Sequence, residues 1–132
     1  MAEYLGRARL GSILGPNARI ASAGIRPQGK EDTTNAVGTL HSDFDIDASA
    51  HIPQDVRNID TDSFDLIVSI DDTGSDHIAQ AVRALGVTTD RHVSWKIKDP
   101  WGDDPTEYEA SALAICRALA ELRKRTETAL NE

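Results

Sequence analysis

Two carboxylates stand side by side at the end of an apolar run in FDLIVSIDDTGSD, residues 64–76. Asp71 and Asp72, with Asp99 near them, are the residue types that could hold Mg²⁺ in a doubly wound fold. A divalent site usually needs better-spaced oxygens than one adjacent pair, so the favoured reading is loop and helix-cap residues and no metal. His41, His51, His77 and His92 are scattered without ligand spacing, which argues against zinc. Cys116 is the single cysteine, so the chain has no internal disulfide and no dithiol pair. Within AICRALAEL it reads as a small core or half-buried residue of a helix. No cofactor is indicated.

The elements that must position these residues alternate. Residues 2–14 are helix-like up to Gly15-Pro16-Asn17, and ARIASAG, residues 18–24, is a short strand ending in small residues. A short helix over 33–44 is followed by a polar connection of unassigned structure, residues 45–63. Residues 64–71 carry Leu66, Ile67, Val68 and Ile70, the near-continuous pattern of a central parallel strand covered on both faces. Ser75 can cap a helix over 76–86, where Ile78, Val82 and Leu85 share one face and Gly86 is the stop. HVSWKIK, residues 92–98, alternates, with lysines on its polar face as an edge strand does. A last helix starts near Asp104, Pro105 or Thr106, with Tyr108, Ala112, Ile115, Leu119 and Leu122 in one stripe.

That order predicts a doubly wound α/β domain over 1–132 with a parallel sheet and three strands. In such sheets ligands bind beyond the carboxyl ends of the strands. Ser22-Ala23-Gly24, Ser69–Asp72 and Lys98-Asp99-Pro100-Trp101 then meet on one rim. An alternating fold that opens on a helix also implies a strand ahead of it.

Composition narrows the function. A net charge of −8 over 132 residues argues against a nucleic-acid partner, because phosphate-backbone binding needs a clustered basic face. No apolar run approaches the ~20 residues of a membrane span, and no leader pattern is present, so the expected setting is soluble and cytoplasmic.

SAG at 22–24, the FDLIVSIDD strand at 64–72, DASAH at 47–51 and WKIKDPWGDD at 95–104 ahead of a Tyr-containing helix resemble the low-molecular-weight protein tyrosine phosphatase family, with its thioredoxin-coupled arsenate reductase relatives. In that family a Cys-(X)5-Arg phosphate-binding loop is followed by Ser-Pro and commonly Met-Ala-Glu, and this sequence opens on Met1-Ala2-Glu3. The resemblance therefore implies that the first central strand, the cysteine nucleophile and the phosphate-gripping arginine are missing. Cys116, with Arg117 adjacent, does not have the spacing to replace them.

On the same resemblance Asp99 is the general acid, vestigial without a nucleophile, and Trp101, Ser22, Asp71 and Asp72 shape the substrate cleft. The bland alternatives are a turn aspartate before proline for Asp99 and a surface aromatic for Trp101. Three functions follow as expectations. The first is a catalytically inactive binding or regulatory module. The second is a phosphatase for phosphotyrosine or aryl phosphates whose true start lies upstream of Met1. Arsenate reduction is disfavoured, because SIDDTGSDHIAQ holds no resolving cysteine. Expected partners are a phosphoprotein or small phosphate ester, and a second copy joined through strand edges. Loss of the central strand predicts either direct pairing of 18–24 with 64–71 or a homodimer that covers the gap.

Overall fold

A computed structural model describes residues 1–25, 34–100 and 105–131. Their elements are α1 (Ala2–Leu14), α2 (Thr34–Phe44), β1 (Ile67–Asp71), α3 (His77–Ala84), β2 (His92–Lys96) and α4 (Pro105–Asn131). It is an α/β fold with a parallel sheet. β1 and β2 pair in parallel from Ile67 opposite His92 to Asp71 opposite Lys96, and α3 is the crossover between them.

Apolar residues recur at helical spacing in α3 and α4, and glycines follow the ends of α1 and α3. In α4 the stripe Tyr108, Ala112, Ile115 and Leu119 is buried and Leu122 half-buried, as its three- and four-residue spacing requires. Leu5 and Leu10 of α1, Leu40 of α2, Ala48 and Ile97 close on that stripe as one core. Complete burial of Leu5 and Leu40 contributes about 1.5–3 kcal/mol each. Gly15 and Gly86, just past α1 and α3, take φ of 86° and 88°, left-handed values that end a helix at low steric cost. α1 lies close to the segment behind it: a Cβ on Gly6 would meet Ile20 Cγ2 at 3.5 Å and Leu119 Cδ2 at 4.0 Å.

β2 alternates as its sequence does. Ile97 just beyond it is buried, Val93 and Trp95 are half-buried, and Ser94, Lys96 and Lys98 face solvent. The polar connection 45–63 contains two single 3₁₀ turns, Val56–Asn58 and Thr61–Ser63. Each is started by an aspartate that accepts from the backbone two residues on, Asp55 from Arg57 N at 2.8 Å and Asp60 from Asp62 N at 3.1 Å.

Two expectations about strands are corrected. Residues 18–24 do not form a third strand; their only ladder contact among the described residues is a parallel bridge from Gly24 to Asp55. Nor do they pair with β1, whose one neighbour among the described residues is β2. Ahead of β1, Arg19 donates to Ser63 Oγ at 3.2 Å and lies over the Phe64 ring at 4.3 Å from its centroid.

Candidate functional site

A cleft of about 570 Å³ opens at the carboxyl ends of the strands, lined among others by Ala23, Ile70, Asp71, Asp72, Lys98 and Asp99. Its volume is that of a small-molecule or peptide site. β1 delivers the adjacent aspartates to it, and the alternation of a strand sends them in opposite directions.

Asp71 points inward. It is 1% exposed, and its two carboxylate oxygens accept from Ile78 N at 2.7 Å and Ala79 N at 3.0 Å. These are first-turn donors of α3, which have no partner within the helix, and the carboxylate also meets the positive end of the helix dipole. Ser75 adds a weaker cap, accepting from His77 N at 3.4 Å. Asp71 is thus a structural carboxylate whose lone pairs are spent on α3.

Asp72 points outward and is exposed. Its Oδ1 accepts from Thr73 N at 2.9 Å and from Asp99 N at 3.1 Å, so it fastens the backbone of the Asp99 loop to the end of β1. On the other side Ser111 Oγ donates to Lys98 C=O at 2.8 Å, and Lys98 Nζ pairs with Glu107 at 3.1 Å, which ties the same loop to α4. Asp99 is exposed at the cleft between these two anchors. Among the described residues no group of three or more His, Cys, Asp or Glu is placed to hold a metal ion.

Ser22 is held elsewhere. Its N–H and hydroxyl both donate to Glu3 Oε1, at 2.8 and 3.0 Å, and it does not line the cleft, where Ala23 takes the place. Glu3 is 8% exposed and also pairs with Arg7 at 3.0 Å, while His51 Nδ1 lies 3.8 Å away. Arg7 donates onward to Ile20 C=O at 3.1 Å. This buried carboxylate, absent from the sequence-based candidates, had one available signal: Gly6 and Leu10, three and seven residues on, place it on the inward face of α1. The histidine of DASAH is accounted for by the same network, edge-on to Tyr4 at 5.5 Å.

Cys116 is half-buried in α4 against the core and is not part of the cleft lining. Ser69 and His92 form a pair at 2.8 Å, with Ser69 1% exposed inside the sheet, and this serves the strand interior. Trp101 lies outside the described residues. The structure therefore brings Asp71, Asp72 and Asp99 together at one rim, assigns Asp71 and Asp72 to holding backbone, and separates Ser22 from them.

Two solved structures are similar to this chain in fold. A low molecular weight protein tyrosine phosphatase from T. tengcongensis superposes with a TM-score of 0.74 at 20% identity, covering 94% of this chain and 88% of its own. An arsenate reductase from Archaeoglobus fulgidus DSM 4304 superposes with a TM-score of 0.56 at 25% identity, covering 99% and 88%. No curated protein matched. The family described as low molecular weight phosphotyrosine protein phosphatase matches residues 1–131, and the chain belongs to that family.

Proposed function

We propose that residues 1–132 act as a binding module on the low molecular weight phosphatase fold and do not themselves hydrolyse phosphate esters. One observation carries this reading. The cleft holds Asp99, the carboxylate that the family resemblance makes a general acid, whereas the chain's single thiol sits in α4 against the core. A covalent phosphoryl transfer needs a thiolate in line with the phosphorus and donors around its oxygens. Asp72 and Asp99 add negative charge to a chain already at −8, so phosphate or vanadate is expected to bind in the millimolar range or not at all.

The test is turnover of para-nitrophenyl phosphate by the 132-residue chain beside its Cys116→Ala variant. Neither should exceed buffer. Turnover by the parent that disappears in the variant would overturn the proposal.

A second reading is favoured by the position of Asp99 at the cleft. In a polypeptide that carries a Cys-(X)5-Arg loop ahead of residue 1, this residue would protonate the leaving oxygen of phosphotyrosine or an aryl phosphate, and Asp99→Asn would lower kcat by about 10²–10⁴-fold. Arsenate reduction is not favoured for these residues, because the stretch after β1 that would carry resolving cysteines has none.

A further inference from the structure

Lys98 C=O and Asp99 N–H belong to the same peptide unit, and a different side chain holds each end of it. Ser111 Oγ of α4 donates to the carbonyl at 2.8 Å, and Asp72 Oδ1, just past β1, accepts from the N–H at 3.1 Å. A peptide unit is planar, so fixing its C=O and its N–H fixes the orientation of the plane from which the Asp99 Cα departs. On the other side of Asp99 stands Pro100, whose ring keeps the residue before it in the extended region. The backbone is thus constrained on both sides of Asp99, and the direction of its Cα–Cβ bond follows from that backbone.

Neither holder is explained by its own element. Ser111 is 5% exposed within the buried stripe of α4, beside Tyr108, Ala112 and Ile115, where packing alone would take an apolar side chain. A hydroxyl buried there costs stability unless it is hydrogen-bonded, and its partner is the carbonyl ahead of Asp99. Asp72 is the exposed member of an adjacent pair in which Asp71 already caps α3. Its Oδ1 also accepts from Thr73 N at 2.9 Å, which sets the carboxylate against the turn after β1 before it meets the loop. The Lys98–Glu107 ion pair spans the same gap at 3.1 Å, but a solvent-exposed pair of long side chains orients a backbone weakly.

We propose that Asp72 and Ser111 are positioning residues for Asp99: they hold the peptide unit ahead of it from two elements and so keep its carboxylate at the cleft that all three residues line. Such an arrangement matters for a proton donor, because a misplacement of about 1 Å can cost about 10²-fold in rate. The proposal rests on the reading of Asp99 as a proton donor, which has its own test in the kcat of Asp99→Asn.

The experiment is backbone amide relaxation and hydrogen exchange at Asp99 in the 132-residue chain and in its Asp72→Ala, Asp72→Asn, Ser111→Ala and Asp72→Ala/Ser111→Ala variants. Asp72 is exposed and Ser111→Ala removes a single oxygen, so these variants are expected to fold. The Asp99 N–H order parameter should be about 0.85 in the parent and in Asp72→Asn, which keeps an acceptor, below about 0.6 in the double variant, and intermediate in each single alanine variant. Amide exchange at Asp99 should quicken about tenfold in Asp72→Ala and less than about threefold in Asp72→Asn. The amides of Lys96 and Tyr108, in β2 and α4 on either side of the loop, should keep their parent values throughout, which a general loss of structure would not allow. An Asp99 as ordered in the double variant as in the parent overturns the proposal, and so does a loss of order that extends to Lys96 and Tyr108.

Discussion

Removal of the Asp71 carboxylate separates a structural from a ligand-binding role for this residue. In Asp71→Ala the amides of Ile78 and Ala79 lose their acceptors, one of them in a fully buried position. An unsatisfied buried donor costs about 1–3 kcal/mol, and loss of a carboxylate at a helix N-terminus costs about 0.3–1 kcal/mol more. Water can reach the half-buried Ile78 amide, so the sum is about 3 kcal/mol, out of a total stability of about 5–15 kcal/mol for a domain. With a urea m-value of about 2 kcal/mol/M, the midpoint followed by circular dichroism should fall by about 1.5 M. Asp71→Asn keeps one acceptor and should lie between parent and alanine variant. If Asp71 were instead a carboxylate held ready for a ligand, its removal would relieve charge crowding and leave stability unchanged or raised. A midpoint for Asp71→Ala within about 0.2 M of the parent would refute the capping argument.

Three further outcomes are expected. Glu3→Ala strands the Ser22 N–H and hydroxyl, and should cost about 1–3 kcal/mol in urea unfolding while speeding amide exchange at Ser22. Gly6→Ala, whose Cβ would make only ordinary contacts at 3.5 and 4.0 Å, should raise stability by about 0.5–1 kcal/mol through the entropy glycine loses in a helix; a loss in thermal melting would show that α1 tolerates no added atom there. Hydrogen bonds from the Arg57 side chain and backbone lower the Asp55 carboxyl from 3.8 to about 2. A depressed carboxyl stabilises the fold above its unfolded value and loses that contribution as pH falls from about 3.8 to about 2, so the Asp55→Asn variant should show a shallower stability decline in that window.

The helices were legible because their signal is local. The α4 stripe and the glycine stops after α1 and α3 are written in spacing and composition, and the structure uses them as written. The apolar run at 64–71 also identified its strand, and DP between the last strand and helix marked the loop that carries Asp99 to the cleft. What could not be read depends on partners distant in sequence. ARIASAG has strand composition, yet a strand is defined by its neighbour, and among the described residues the segment makes one bridge, at Gly24. Asp71 and Asp72 are adjacent and chemically identical, and only the pleat decides that one caps α3 while the other fastens the Asp99 loop. Ser22 belonged to the rim by order along the chain, but a carboxylate 19 residues away holds it on the far side.

Vanadate tests the central claim most directly, since it mimics the five-coordinate phosphorus that a working site of this family must stabilise. Titrated into the 132-residue chain and followed by the amide shifts of Asp72 and Asp99, it should bind with Kd of about 1 mM or weaker, about −4 kcal/mol at most. Saturation in the micromolar range, with shifts centred on Asp99, would contradict the account and show that these residues alone build a phosphoryl-transfer site.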